Sequence, residues 1–396
     1  MKINILFIAD SSLRNPILQS QGFPFLYNLN QSKYKPFILS FEETNLSNEE
    51  SLEFQSIIKK YDSKINFLPV AINKKGILPS WFYLIWKRSN ILYSIVRKYD
   101  IKLLHARSFI PAFLSVIIKV IFKPSLKVIY DNRGLYIDEK IFSGHIKKAG
   151  IKEKFFRWID KYAMKNCDRI VVVSNHFKTY LLNKYKSNAS SKIAVIPNRT
   201  LIDTNIDLTQ KFSNKITLVY SGSYAIWQNS SELKKLFSQA LNIFDDVRFK
   251  IISYEQDNFQ SLFSDESELL QRINIFSVEP TKVRKELSTC NCGILLRGNN
   301  LINNVSSPLK FTEYLAAGLP VLLSEGVGDT ESIIIKYDVG ILIKNNNYIA
   351  ALKELRMLLN DNDVYRRCLR IADKEFNIKT SFQQYQDIYD NLLSIW

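Results

Sequence analysis

The chain has 396 residues, 46% of them hydrophobic and 23% charged, with four cysteines, three histidines and a formal net charge of +16. That length and balance fit two or three soluble domains of ~150 residues, each able to bury a core. Three histidines argue against a histidine-rich metal site, and the cysteine positions show neither metal-ligand nor paired-redox spacing, so reduced thiols in a cytoplasmic protein are expected.

In chain order, the opening "MKINILFIAD" has an apolar run too short for a signal peptide. It reads instead as a strand over 3–9. Further strand-length runs fall at 36–41, 65–70, 101–106, 127–131 and 169–174. Between them lie helical patterns. The stretch 79–99 mixes Trp81, Tyr83, Trp86 and Tyr93 with Lys87, Arg88, Arg97 and Lys98. Such a composition suits either a membrane-interface helix or a core-packed helix with a solvated basic face. The run 109–122 is apolar but broken by Lys119, and it is shorter than the ~20 residues that a spanning helix needs. No transmembrane segment is expected.

A second series of runs follows at 216–221, 248–253, 273–278, 292–297, 320–324 and 340–343. Short, continuous, β-branched runs suit strands buried on both faces, and intervening helices imply right-handed crossovers. The chain therefore reads as two doubly wound α/β units. The first is expected over 1–198, with a polar link over 199–214 that follows the Pro197-Asn198 turn signal. The second is expected over 215–375. The tail 376–396 is amphipathic, with Thr380 or Ser381 as its cap, and is expected to pack back on the first unit.

Charge is unevenly placed. Residues 1–200 carry 33 Lys+Arg against 14 Asp+Glu, and the remainder 21 against 24. A basic first half suits nucleic acid, anionic headgroups or a phosphate-bearing substrate, and equally a merely soluble lysine-rich surface.

The segment "NNVSSPLKFTEYLAAGLPVLLSEG" (303–326) concentrates chemistry. Ser307 is placed to cap a helix with Pro308 at its first position. Helix N-termini present free N–H groups that favour phosphate, and Lys310 adds charge in the first turn. Glu313, one turn on, can accept from two sugar hydroxyls, and Gly318 ends the helix. The competing reading is an ordinary capped helix with a Lys–Glu surface pair. Arg297 closes the run 292–297, where a parallel sheet binds ligands. Ser221, Gly222 and Ser223 form a small-residue loop whose amides could approach phosphate.

The segment "SPLKFTEYLAAGLPVLLSEGVGDTESII" resembles the donor-binding segment of glycosyltransferase family four, retaining enzymes with the GT-B architecture of two facing Rossmann-like domains. "LLHARSFIPAF", "YDNRGLYIDE", "DRIVVVSNHFKTYL", "VIPNRT" and "LVYSGSYAIWQN" follow in the family's order, so the resemblance spans essentially the whole chain. It implies that the residue matching Glu313 binds the nucleotide ribose. It also implies that Arg297 and Lys310 neutralise the diphosphate, and that Ser307 and Ser221–Ser223 line the donor site. On the acceptor side it points to His105, Arg107, Asp131 and Arg133, the last two on a loop after a strand and near the cleft between domains. A buried structural histidine and an Asp-stabilised turn are the alternative readings there.

Two departures stand out. Many members carry two glutamates with seven residues between them; the first position here is Val305, with Ser306, Ser307 or backbone amides as substitutes. The family's His-x-His reads His105-Ala106-Arg107. The resemblance implies sugar transfer from a nucleoside-diphosphate sugar to a hydroxyl of a glycan, lipid-linked, in cell-surface polysaccharide assembly. It further implies retention of configuration, no metal and no cofactor beyond the donor. The expected protein is cytoplasmic and peripheral on an anionic membrane face, with no nucleic-acid partner. A nucleotide-sugar epimerase of the same architecture, a nucleic-acid-binding protein and a non-catalytic scaffold are the rival readings.

Overall fold

A computed structural model describes residues 2–10, 12, 18, 22–42, 47, 49, 52, 56, 65–71, 80–185, 189–202, 206–212, 215–224 and 228–394. Residues 203–205 and 213–214 of the expected link, 225–227 of the segment "LVYSGSYAIWQN", 79 and 395–396 lie outside the described residues, as does the side chain of Trp81. The chain forms two compact units. Unit 1 comprises Met1–Val173, Leu181–Ile196 and Thr380–Trp396; unit 2 comprises Ser174–Tyr180 and Pro197–Lys379.

Unit 1 holds a seven-stranded parallel sheet of β1 (Ile3–Ala9), β2 (Tyr34–Glu42), β3 (Asn66–Ala71), β4 (Leu103–Arg107), β5 (Lys127–Asn132), β6 (Arg169–Val172) and β7 (Ile193–Val195). The strand order is β3-β2-β1-β4-β5-β6-β7. Order therefore reverses between β1 and β4, which leaves a crevice at their carboxyl ends. The central strands are apolar on both faces because helices cover both faces: the first four residues of β4 are all buried. The three-residue β7 has no counterpart among the expected strands, being too short for periodicity to register just before Pro197.

Unit 2 holds a six-stranded parallel sheet of β8 (Ile216–Ser221), β9 (Val247–Ile252), β10 (Ile273–Phe276), β11 (Cys292–Leu295), β12 (Val321–Ser324) and β13 (Gly340–Ile343). Its order is β10-β9-β8-β11-β12-β13, reversing between β8 and β11. Part of the stretch expected as a link packs into this unit. Thr200 bridges to Asn377, and Lys211 is buried with its Nζ donating to the carbonyl of Cys290 at 2.8 Å.

The last helix runs Ile378–Leu393, so Thr380 and Ser381 lie inside its first turn and do not cap it. The side chain of Asn377 takes the Lys379 N–H instead. Tyr385, Ile388, Tyr389 and Leu392, at helical spacing on one face, enter the core of unit 1 beside Phe25, Tyr34, Leu103 and Ile129. Among the described residues no helix is long and apolar enough to cross a membrane.

Candidate functional site

In unit 2 the chemistry-bearing residues collect at the carboxyl ends of β8 and β11, where strand order reverses. Arg297 lies two residues past the end of β11 rather than on it. Its backbone is fixed by Ser324 at the end of β12, whose Oγ accepts from the Arg297 N–H at 2.6 Å and donates to the Arg297 carbonyl at 3.0 Å. The guanidinium is mostly buried, its Nε has no hydrogen-bond partner among the described residues, and burial lowers its pKa.

Tyr314 organises this edge. Its ring lies against Gly293, where a Cβ would come within 2.4 Å of the ring, so only glycine admits it. The hydroxyl thereby reaches both strand ends: it accepts from the Ser221 N–H at 2.8 Å and donates to the Ile294 carbonyl at 3.1 Å. The Gly222 N–H is bonded to the Ile252 carbonyl. The amides of Ser221 and Gly222 are therefore committed to the fold, unlike the expected phosphate-facing loop. Ser223 is held by Gln228 Nε2 at 2.7 Å.

The helix Leu309–Ala316 supplies the other donors. Pro308 occupies its N-cap position with extended backbone, and no side chain caps it. Ser307 is therefore not a cap; its Oγ accepts from the Asn198 N–H at 3.1 Å and its carbonyl from Asn198 Nδ2 at 2.6 Å. Gly318, at φ +71°, closes the helix. Its N–H bonds to the Leu315 carbonyl and that of Leu319 to the Tyr314 carbonyl, the paired bonds of a Schellman end. Lys310 Nζ sits 2.7 Å from Glu313 Oε2, both about a quarter exposed, so each charge is balanced locally while reachable from solvent. Val305 is buried, and Ser306 donates back to the Asn303 carbonyl. Gly328, at φ +49°, presses on the same loop: a Cβ there would lie 2.0 Å from the Ser306 carbonyl oxygen.

In unit 1 the structure brings His105, Arg107, Asp131 and Arg133 together. Asp131 is within β5, 2% exposed, not on a following loop, and pairs in register with Arg107 of β4. Its Oδ2 lies 3.3 Å from Arg133 Nε and 3.4 Å from His105 Nε2, and its Oδ1 accepts from Tyr385 Oη at 3.2 Å. Burial would raise this carboxyl, but Arg133 and His105 outweigh it and hold it well below the usual carboxylate range. His105 is also buried, with Nδ1 2.6 Å from Tyr389 Oη. Burial lowers its pKa, so the ring is neutral at pH 7 and the arrangement favours Nε2–H toward Asp131. Both ring nitrogens thus face protein groups, and the imidazole braces Asp131.

Arg107 and Arg133 line a cavity of about 200 Å³ within this unit, together with Ser108, Tyr130, Glu139 and Asp160. Ser108 holds φ +85°, a region that non-glycine residues seldom occupy and that marks a turn held by its surroundings. Arg133 also donates to the Ile196 carbonyl at 3.0 Å. Asp160 accepts from Tyr130 Oη at 2.7 Å, and burial pushes its carboxyl up to about 6.

Sequence reasoning missed Tyr314, Tyr385, Tyr389 and Asp160. The spacing of Tyr385 and Tyr389 marked one helix face, but nothing in sequence tied it to a histidine 284 positions away. Asp160 was findable, because it breaks the apolar stripe of Phe156, Ile159 and Ala163.

Residues 46–199 match the family model described as Glycosyltransferase Family 4, and residues 202–375 the one described as Glycosyl transferases group 1. An uncharacterized glycosyltransferase of Haemophilus influenzae is 24% identical over 246 residues, 59% of this chain; the match spans 65% of that protein, just under two thirds of its length. A glycosyltransferase from Rickettsia africae shares the fold with a TM-score of 0.73 at 17% identity over 99% of both chains. The apo form of the lipopolysaccharide outer core galactosyltransferase WaaB does so with a TM-score of 0.72 at 12% identity, over 98% of this chain and 100% of that one.

Proposed function

From the premise that the chain belongs to the GT-B glycosyltransferase family, we propose that it transfers a sugar from a nucleoside-diphosphate donor held by unit 2 to a hydroxyl of a glycan held by unit 1. The observation that carries this reading is the edge at the reversal of unit 2: a mostly buried guanidinium, Arg297, with Lys310 and Glu313 on the helix that follows. A leaving diphosphate develops negative charge, and preorganised cations stabilise it most where water is excluded. Arg297 and Lys310 supply that charge from the protein, so the reading needs no metal ion. Glu313 would exchange its ion pair with Lys310 for the two ribose hydroxyls as Lys310 turns to phosphate.

Retention of configuration and a lipid-linked acceptor in cell-surface polysaccharide assembly complete the reading. Retention follows from the resemblance to family four. The galactosyltransferase that shares the fold acts, by its name, on lipopolysaccharide outer core, which favours a glycan acceptor. The helix Ser80–Lys98 exposes Trp86 at 62%, and its Lys87 and Arg97 lie against Tyr83 and Tyr93. Exposed apolar residues beside cations suit a peripheral site on an anionic membrane.

The test is calorimetric binding of UDP, GDP and their sugar conjugates in the presence of a chelator, to the wild type and to Glu313→Ala. Binding of one nucleotide by the wild type, weakened about tenfold or more by the loss of a bidentate charged acceptor, is the expected result. Failure of every nucleotide to bind the wild type sinks the transferase reading.

A further inference from the structure

Resting on the transferase reading, we propose that the cavity of unit 1 at the ends of β4 and β5 holds one uncharged sugar ring of the acceptor, with Glu139 accepting hydrogen bonds from its hydroxyls. The wall of this cavity carries both signs of charge. Asp138 is paired with Arg157 at 2.8 Å, and Arg133 with Asp131 at 3.3 Å. Arg107 lines the same wall as Glu139 and Asp160. An anion there would meet the carboxylates and a cation the guanidinium groups, so a net charge of either sign is opposed. A polyhydroxyl ring suits such a wall, because each hydroxyl can donate to a carboxylate and accept from a guanidinium.

Glu139 is the group that awaits a donor. It stands on the helix Tyr136–Phe142, one turn from Tyr136 and on the same side. Among the described residues no donor bonds to its carboxylate, and Lys140 acts on it only through space. Burial raises its pKa, as it does for a carboxylate taken partly out of water with no donor in exchange. Ligand hydroxyls would supply that donor. The side chain reaches this position across Gly134, where a Cβ would lie 2.8 Å from Glu139 Oε1. Tyr136, 40% exposed, adds a ring to the cavity against which the C–H side of a sugar can pack. The cavity, about 200 Å³, is several times the ~30 Å³ that a water takes in the liquid, enough for a single pyranose ring.

Saturation-transfer NMR titrations of the full chain with methyl glycosides test the site. The neutral probes are the methyl glycosides of glucose, galactose, mannose and N-acetylglucosamine. Methyl glucuronide and methyl glucosaminide supply the two signs of charge. Wild type is compared with Glu139→Gln, which keeps the shape and removes the charge, and with Gly134→Ala, which keeps the carboxylate and displaces it. Gly134 is outside the left-handed region, so its backbone accepts alanine. Should Glu139→Gln fail to fold, Gly134→Ala carries the test. At least one neutral glycoside should bind the wild type more tightly than either charged one, and each variant should weaken it about tenfold. Glu139→Gln should also narrow the gap to the glucuronide, which a merely structural role would not do. Failure of every neutral glycoside to bind the wild type, glucuronide binding as tight as that of the glucoside, or unweakened binding by Glu139→Gln overturns the proposal. UDP binding is measured in parallel. Glycoside binding that needs Glu139, with no nucleotide bound, leaves the sugar pocket standing while the transferase reading falls; nucleotide binding with no glycoside bound does the reverse.

Discussion

Lys211 lies 2% exposed in unit 2, bonded to one backbone carbonyl and set over the ring of Tyr365. Burial drives its pKa from 10.5 down to about 7. Between those values the unfolded chain takes up a proton that the folded one refuses. This residue's contribution therefore makes stability rise with pH across that window, and the full penalty is present below pH 7. Lys211→Met removes the penalty. Its stability relative to wild type should be greatest near pH 7 and should shrink toward pH 9, by up to about 1.4 kcal/mol per pH unit. Urea unfolding of both proteins at several pH values checks this; a difference that does not change with pH contradicts it. At this scale the sequence was only partly legible. Arg297, Lys310 and Glu313 could be picked out because local spacing and strand ends mark them. The commitments of Ser307, Ser221 and Gly222 to Asn198, Tyr314 and Ile252 could not, because each partner lies 30 or more positions away and the same residue types serve caps, loops and ligands alike.

Elements were more legible than residues, since twelve of the strands announce themselves as short apolar runs between turn residues. The exception, β7, offers three residues to a pattern that needs four or more. The helix Ile378–Leu393 was visible as an amphipathic face, but what that face touches was not. It carries Tyr389, whose hydroxyl meets His105, and Tyr385, whose hydroxyl meets Asp131. Tyr389→Phe strips one partner from a buried imidazole nitrogen and should cost about 1–3 kcal/mol. Tyr389→Ala also opens a cavity in the unit 1 core and should cost about 3–5 kcal/mol. Chemical denaturation separates the two. Equal losses would mean that the hydroxyl, not the ring, carries the contribution of this residue.

Across the whole molecule, the basic excess sits in the first 200 residues and the remainder is slightly acidic. The membrane binding proposed for the exposed Trp86 and its neighbouring cations should follow that division. Vesicles of phosphatidylcholine with phosphatidylglycerol should retain the protein and pure phosphatidylcholine should not. Retention should weaken as salt rises past ~0.15 M and in Trp86→Ser. Retention that ignores both lipid charge and salt would argue against this role. The same chain order has a consequence for biosynthesis. Tyr385, Ile388, Tyr389 and Leu392 complete a core whose other members begin at Ile5. On the ribosome the unit begun first is therefore finished last, while residues 197–379 can close their own cores before it. Until residue 392 emerges, Phe25, Tyr34 and Leu103 lack their cover. The nascent chain thus carries an exposed apolar face for most of its synthesis, and unit 1 is where a chaperone would be needed.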